Sequence, residues 1–377
     1  MTGSLANLRV ALVHDALVDT GGAERVVLIL ARMFPNAPLY TTCYKPDWTF
    51  DQFRTLDVRT SFVQPLVVNR IVHKILFPLY PMAFEQFDLS GYDLVLSSSA
   101  HWAKGVITPP ETCHVCYCNS PSRVAWRYHK YVEQQGFGAV ARAILPWFVH
   151  RFRQWDVVSA SRVDAFVAGS QNAANRIAKY YRRESSVMRS PIDVHQFAPN
   201  PAGGDYFLVV SRLAAYKRVD VAVEAFRRLG LPLKIAGRGP MFDALRRGAP
   251  SNVECLGRVS DTALKQLYAR CRALVVCAEE DYGLTPLEVN ASGRPVIAYG
   301  AGGALETVVD GRTGLLFAEQ TAESLIEAVR RLENISFDPA VMRAHAEQFD
   351  ATIFQARLWE FLETTVTSHR ARFGSVR

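Results

Sequence analysis

Hydrophobic residues along this chain fall into short unbroken runs that alternate with longer amphipathic segments. Short apolar runs bounded by Gly, Pro, Asn or Ser are typical of strands buried on both faces of a parallel sheet. Such runs predict strands at Leu8–His14, Tyr92–Ser97, Thr112–Cys118, Ala165–Ala168, Tyr206–Ser211, Leu233–Ala236, Ala273–Cys277 and Pro295–Tyr299, and Gly311–Leu316 predicts a closing turn and strand. Helical patterns separate them, so the fold class is α/β, built from doubly wound parallel sheets.

One Pro- and Gly-rich segment interrupts this alternation. It is Asn200-Pro201-Ala202-Gly203-Gly204, the clearest linker signal in the chain. We therefore expect one Rossmann-like domain over residues 1–200, a second over 201–350, and a terminal helical segment over 351–377. A length of 377 residues suits two domains of ordinary size.

The stretch EEDYGLTPLEVNASGRPV, residues 279–296, predicts a strand, a loop, a helix and a further strand. The helix begins after Gly283, where the first N–H groups, around Leu284 and Thr285, lack helical partners and favour an anion. Glu280 lies in the loop and Glu288 inside the helix, so two carboxylates flank this helix start. They suit the hydroxyl groups of a nucleotide sugar. The alternative is that Glu288 complements the helix N-terminus and Glu280 is a solvated loop charge.

Other strand-to-helix turns carry cations or glycines. Arg212 and Lys217 follow the first strand of the second half, where two cations can neutralise a diphosphate or simply be solvated. Gly237 and Gly239 follow the next strand, and the pair Gly21-Gly22 follows the first strand of the chain. These turns let a backbone approach a ligand closely. The first turn lacks the third glycine of the dinucleotide fingerprint, which disfavours a Rossmann oxidoreductase.

Composition narrows the class of protein. Hydrophobic residues make up 49% of the chain, which excludes a disordered or fibrous protein. No stretch of about 18 residues is free of charge, and the N-terminus lacks a signal-peptide pattern, so we expect a cytoplasmic protein. Cys113, Cys116 and Cys118 share one segment, but no second pair has matching spacing, so buried thiols are expected rather than a metal site.

The net charge of +7 is concentrated in the first half, where residues 1–200 carry +6. Two intervals within it, 60–84 and 139–155, contain Arg and Lys among aromatic and aliphatic residues and no Asp or Glu. Such segments can lie in the interface of an anionic membrane, or be solvated helices with a core-facing side. The charge also suits a nucleic-acid binder, which would bind with a steep salt dependence in a filter-binding assay.

Three motifs carry a resemblance to a known family. They are the E-x-Y-G setting of Glu280 with Glu288 eight positions later, the segment GRPVIAYGAGGALETV, and HDALVDTGGAERV near the N-terminus. Together they resemble retaining GT-B glycosyltransferases of family 4, which include mannosyl- and glucosyltransferases of cell-envelope glycan assembly. The resemblance implies two Rossmann-like domains facing across a cleft, with a C-terminal helix that returns to the first domain.

The resemblance also implies roles for residues. Arg212, Lys217 and Glu280 would be catalytic, with the two cations stabilising the leaving diphosphate and Glu280 holding sugar hydroxyls, while Glu288 would hold the ribose. Further donor contacts are implied for Gly21, Gly22, Asn119, Gly237, Gly239, Val259, Gly283, Leu284 and Thr285.

Asn119 departs from the family pattern. The segment Asn119-Ser120-Pro121 stands where many relatives have His-Thr-Pro, with the histidine near the sugar. Asn can accept or donate a hydrogen bond to a hydroxyl, but it cannot carry a proton. The choice of donor can differ for this reason.

The expected reaction is transfer of a hexose with retention of anomeric configuration, without a metal ion or other cofactor. A GDP-linked, mannose-type donor is favoured over a UDP-hexose, and a lipid-linked or polysaccharide acceptor is expected. A UDP-hexose-dependent transferase and a GT-B sugar-nucleotide epimerase are the alternatives. The protein should associate peripherally with the inner face of the cell membrane, and no nucleic-acid partner is expected.

Overall fold

The computed structural model describes residues 5, 7–128, 139–200 and 203–375. The chain divides into two compact units. Unit 1 comprises residues 1–190 and 354–377, and unit 2 comprises residues 191–353. The divisions fall at 190 and 353, against the expected 200 and 350.

Unit 1 contains a parallel sheet of seven strands within the described ranges. The strands are β1 (Val10–His14), β2 (Leu39–Thr41), β3 (Val58–Thr60), β4 (Leu94–Ser99), β5 (Cys113–Cys118), β6 (Ala165–Ala168) and β7 (Ser186–Val187). Their order across the sheet is β3-β2-β1-β4-β5-β6-β7. Every residue of the central strands β1, β4 and β5 is buried, as the continuous apolar runs predict.

Unit 2 contains a parallel sheet of six strands among the residues described. They are β8 (Tyr206–Val210), β9 (Leu233–Ala236), β10 (Val253–Gly257), β11 (Cys271–Val276), β12 (Val296–Tyr299) and β13 (Gly314–Phe317). The order is β10-β9-β8-β11-β12-β13, so the direction of winding changes between β8 and β11. In such sheets a ligand typically binds beyond the carboxyl ends of the strands at this switch point.

Helices connect the strands of both sheets. In unit 1 they are α1 (Gly22–Met33), α2 (Arg70–Ile75), α3 (Tyr80–Glu85), α4 (Arg123–Trp126), α5 (Ala139–Ala160) and α6 (Gln171–Tyr181). In unit 2 they are α7 (Val219–Leu229), α8 (Phe242–Gly248), α9 (Asp261–Arg270), α10 (Leu284–Ala291), α11 (Ala304–Thr307), α12 (Ala322–Glu333) and α13 (Pro339–Glu347). The last helix is α14 (Ala351–Phe373).

Helix α14 packs on unit 1 from Phe354 onward, as expected for the returning C-terminal helix. The ring of Trp359 stacks on Phe34 with centroids 5.8 Å apart. Near the end of the helix, the Arg370 guanidinium donates a 2.8 Å hydrogen bond to Asp93. Apolar packing and a charged contact thus hold this helix on the first domain.

The fold expected from the sequence is confirmed. Strands β2, β3, β7 and β10 were not predicted. The first three have only two or three residues, which carry too little periodicity. Among the described residues, no helix has the length and apolar character required to cross a membrane.

Candidate active site

The candidate site lies at the carboxyl ends of β8 and β11 in unit 2. These strands are neighbours, so the loop after each emerges at the same edge of the sheet. A pocket there is lined by Ser211 and Lys217 from the first loop, by Cys277 and Glu280 from the second, and by Thr285 from α10. This is the switch point of the sheet.

Lys217 and Glu280 form a hydrogen-bonded ion pair in this pocket, with Nζ donating to Oε1. Their side chains are only 13% and 24% exposed. Lys217 ends a short helical turn, Ala215–Lys217, and its ammonium lies 5.0 Å from the centre of the Tyr216 ring. The ammonium has three donors and Glu280 uses one, so the others can serve a ligand without breaking the pair.

The loop that carries Glu280 is fixed by two adjacent glycines. The Gly303 N–H donates a 2.9 Å hydrogen bond to the Glu280 carbonyl. A Cβ atom on Gly302 or Gly303 would overlap the carbonyl oxygens of Glu280 and Tyr282 respectively. The GAGG segment therefore allows two loops to touch, and this contact positions Glu280.

The start of α10 faces the same pocket. Gly283 is its N-cap and has φ +90°, a backbone conformation that favours glycine. Leu284 and Thr285 begin the helix, whose first turn contains no acidic side chain. Helix geometry leaves these first N–H groups without intrahelical acceptors, which makes this end attractive to an anion.

Glu288 and Arg212 are placed differently. Glu288 is buried inside α10, and one of its oxygens accepts a 2.8 Å hydrogen bond from the Tyr268 hydroxyl of α9. Arg212 is exposed on the loop after β8. Neither lines the pocket formed by Lys217 and Glu280, so their expected roles in ribose and phosphate binding stay predictions.

Gly237 and Gly239 pack against the backbone of the loop after β8. Gly237 has φ +140°, and a Cβ on it would overlap the Ser211 carbonyl oxygen. A Cβ on Gly239 would overlap the Leu213 carbonyl. This close packing requires glycine at both positions even without a ligand. It also holds the loop that carries Arg212 and Lys217 in place. Val259, half-buried just after β10, precedes the N-cap of α9.

The glycine turn of unit 1 is held by a hydrogen bond to its own helix. The Gly21 N–H, expected to contact the donor, donates a 3.0 Å hydrogen bond to the Glu24 carboxylate. This is the second half of a capping box, and it places a negative charge over the turn. Gly22 is the first residue of α1. The Gly21 amide thus has a partner within the turn, and the donor contacts expected of Gly21 and Gly22 stay predictions.

A polar cluster that the sequence did not single out lies at the carboxyl edge of the unit 1 sheet. Asp15, directly after β1, accepts four backbone hydrogen bonds of 2.6–2.9 Å from the loop after β4, residues 100–103. His14 lies 3.9 Å from Glu24 and its Nδ1 is 3.1 Å from the Ser98 carbonyl. The Asn119 amide donates to Ser98 Oγ at 3.1 Å.

Charged groups in this cluster shift the pKa values of His14 and Asp15. Burial opposes the charged form of His14, but Glu24 and Asp15 outweigh it and raise the pKa of His14. Burial likewise opposes ionisation of Asp15, yet His101, His14 and backbone N–H groups outweigh it and lower the pKa of Asp15. An aspartate immediately after the first strand was the one sequence signal available for this anchor.

The cysteines of β5 behave as expected from the sequence. Cys113, Cys116 and Cys118 are all buried and free. In the described part of the chain, no three His, Cys, Asp or Glu residues are grouped so that they could hold a metal ion.

The fold, two doubly wound α/β units, is the fold of GT-B glycosyltransferase structures, and a paired cation and carboxylate lie at the switch point of the second unit. The family model described as glycosyl transferases group 1 matches residues 193–349, which lie within unit 2.

Curated relatives match parts of the chain. A glycogen synthase from Pseudomonas paraeruginosa is 35% identical over 159 residues, which are 40% of this chain and 31% of the relative. The O-antigen chain mannosyltransferase C of Escherichia coli is 28% identical over 191 residues, which are 46% of this chain and 52% of the relative. The chain thus spans about a third to a half of the length of these relatives.

Solved structures show the same fold over nearly the whole chain. Anabaena Alr3699/HepE, crystallised in complex with UDP and glucose, has a TM-score of 0.69 and 17% identity. The match covers 94% of this chain and 99% of that protein.

Proposed function

We propose that this protein is a glycosyltransferase that transfers a hexose from a nucleotide sugar bound to unit 2. The observation that carries the proposal is the meeting of Lys217, Glu280 and the start of α10 in one pocket. A cation and a helix N-terminus suit the diphosphate, and a carboxylate suits sugar hydroxyls. The family match over the same unit supports this assignment.

In the proposed reaction, Lys217 and Arg212 stabilise the charge that develops on the leaving diphosphate. Glu280 orients the ammonium of Lys217 and accepts hydrogen bonds from the sugar, and Glu288 holds the ribose. The bond between the anomeric carbon and the phosphate oxygen breaks, and the acceptor hydroxyl oxygen bonds to the anomeric carbon on the same face. The leaving phosphate oxygen takes the proton of that hydroxyl. The configuration is retained, and the two side-chain cations do the work of a metal ion.

The proposed donor is a GDP-linked, mannose-type sugar. The similarity to an O-antigen mannosyltransferase supports this choice. A UDP-hexose is the second candidate, because HepE was crystallised with UDP and glucose. The proposed acceptor is a lipid-linked or polysaccharide glycan in the cytoplasm.

Thermal-shift screening with GDP, UDP, ADP and their sugars tests this function. A ligand held only by the native state raises Tm in proportion to the logarithm of its concentration. We expect GDP and GDP-mannose to raise Tm most, with and without EDTA. If no nucleotide raises Tm, the proposed function is wrong, and loss of the shift with EDTA would contradict metal independence.

We also propose that unit 1 docks on an anionic membrane. Ile71 and Ile75 of α2 are 71% and 66% exposed, and Trp147 of α5 is 65% exposed. The segments 60–84 and 139–155 contact each other at Phe77. Its ring centre lies 5.5 Å from that of Phe148 and 5.1 Å from that of Phe152, both in α5. The apolar side chains of the two segments therefore belong to one region of unit 1.

Cations lie among these apolar side chains. Arg70 and Lys74 belong to α2, and the Arg151 guanidinium lies 5.6 Å from the Trp147 ring. Apolar side chains that insert into the membrane, together with basic side chains, favour binding to anionic lipid. Each cation near the surface contributes about 1 kcal/mol to the binding free energy.

Co-sedimentation with phosphatidylglycerol and phosphatidylcholine vesicles tests the docking. We expect binding to the anionic vesicles that salt weakens, and its loss in Ile71→Asp/Trp147→Asp. The matched control is Leu305→Asp, which replaces a side chain of unit 2 that is 60% exposed. Equal binding to both lipids, or no loss in the double variant, would contradict the proposal.

A further inference from the structure

His101 follows β4 at the carboxyl edge of the unit 1 sheet, and its backbone is fixed from both sides. Its N–H donates a 2.9 Å hydrogen bond to Asp15 Oδ2. Its carbonyl accepts a 3.0 Å hydrogen bond from Lys104 Nζ. Lys104 is itself buried and pairs with the buried Asp156 at 2.5 Å. The main chain of His101 is thus anchored by two charged groups of the unit 1 interior.

The imidazole is held by one ring nitrogen only. Nδ1 lies 3.0 Å from Ser122 Oγ, and the ring packs beside Trp102 and Phe77, with centroids 4.9 Å and 6.2 Å away. The side chain is half-buried. Among the described residues Nε2 has no hydrogen-bond partner, and this nitrogen is not fully buried. A rigidly placed ring therefore presents one nitrogen to solvent.

The amide nitrogen of Asn119 and the ring of His14 at this edge already have partners within unit 1. The Asn119 amide donates to Ser98, and His14 is bound between Glu24 and the Ser98 carbonyl. The raised pKa of His14 favours its charged form, which accepts no hydrogen bond. His101 is then the imidazole at this edge that can accept a hydrogen bond from a ligand.

Several charged groups act on His101. They are Asp15 after β1, Arg123 of α4, Asp156 of α5, Lys104 of its own loop, and His73 of α2. Burial is the largest influence and lowers the pKa of His101. Lys104 and Arg123 also lower this pKa, whereas the two carboxylates raise it by less. The ring is accordingly neutral near pH 7.

We propose that His101, with Nδ1–H donating to Ser122 Oγ, accepts at Nε2 a hydrogen bond from a hydroxyl of a carbohydrate bound at the carboxyl edge of the unit 1 sheet, and so positions the acceptor sugar. This inference rests on the proposed function and adds a positioning residue to it. His101 and Asn119 follow the neighbouring strands β4 and β5 at the same edge of the sheet.

NMR titration of the full chain with methyl α-glycosides of mannose, glucose and galactose tests the inference. The nine histidines are labelled at the ring carbon, and His101→Gln identifies the His101 signal. We expect saturable binding that moves this signal. Affinity should fall by up to about tenfold per pH unit below the His101 pKa, because the protonated ring cannot accept a hydrogen bond.

Two variants separate positioning from a merely structural role. His101→Gln keeps an acceptor oxygen, so it should retain binding but lose the pH dependence. His101→Phe should lose binding at every pH, while the control His150→Gln, an exposed residue of α5, should behave as wild type.

The inference is overturned if no glycoside binds saturably up to its solubility limit, if His101→Phe binds as wild type, or if His101→Gln keeps the wild-type pH dependence. Nucleotide-induced thermal shifts are measured in the same samples. If they persist while glycoside binding fails, only the role of His101 is wrong. If both fail, the proposed function fails with it.

Discussion

Replacement of Lys217 by Ala removes the cation that lines the pocket of unit 2 together with Glu280. If Lys217 stabilises charge on the leaving diphosphate, its loss should lower kcat by about 10²–10³, or about 2.7–4 kcal/mol of transition-state stabilisation. Binding of the nucleoside diphosphate should weaken less, because the start of α10 still offers its N–H groups.

The same substitution has a cost in stability. The pair lies between the exposed and the buried extremes, with side chains 13% and 24% exposed. Exposed pairs contribute about 0–1 kcal/mol, and breaking a buried pair costs about 3–5 kcal/mol, so we expect a loss of about 2 kcal/mol in the free energy of unfolding. Part of this loss should be recovered in Lys217→Ala/Glu280→Gln, because the remaining charge is then also removed.

The assay is release of nucleoside diphosphate from the donor that the thermal-shift screen selects, with urea unfolding measured on the same samples. The matched control is Lys234→Ala, which removes a lysine of unit 2 that pairs with Glu254 at 3.5 Å in a more exposed setting. That control should change neither rate nor stability appreciably. Wild-type turnover by folded Lys217→Ala would refute the role of the cation.

Three further predictions concern the parts that hold the sites. Gly237→Ala should lower Tm, because its φ of +140° and a facing carbonyl oxygen leave no place for a methyl group, whereas Gly248→Ala, in open space, should not. The pKa of Asp15 is lowered on folding, so its stabilisation is present at neutral pH and lost as pH falls below the ordinary value of 3.8. Asp15→Asn should therefore be less stable at pH 7 and lose less stability than wild type on acidification, measured by urea unfolding; parallel pH profiles would refute this. Lys104→Met leaves the buried Asp156 carboxylate without its cation and should lower the free energy of unfolding in urea by about 3–5 kcal/mol, and an unchanged value would contradict this.

The long apolar runs made the fold predictable. Strands such as β4 and β5 are buried along their whole length, and continuous hydrophobic sequence is the direct consequence. Strand β7, with two residues, carries no such pattern. Its place at the edge of the sheet is set by tertiary pairing, which local sequence does not encode.

The candidate residues of the site could be predicted from the sequence, but the contacts between them could not. Lys217 and Glu280 are 63 positions apart, and they meet because β8 and β11 are neighbours across a change of winding direction. Their motifs identify both as candidates, but the direct pair between them follows from the topology. Residue type alone also could not reveal that Tyr268 binds the buried Glu288.

The hydrogen bond between Gly21 and Glu24 could have been predicted from the sequence. A glutamate three residues after a helix N-cap is the signature of a capping box, and Glu24 stands in that position. The four hydrogen bonds that converge on Asp15 were not accessible, because they come from residues 85 to 88 positions away.

The most direct test of nucleotide binding at Lys217 and the start of α10 is a crystal structure with the nucleoside diphosphate that the thermal-shift screen selects. We predict phosphate oxygens within hydrogen-bond distance of Lys217 Nζ and of the first N–H groups of α10, with Glu280 still beside the lysine. A nucleotide bound on unit 1, or on unit 2 away from the carboxyl ends of β8 and β11, would contradict it.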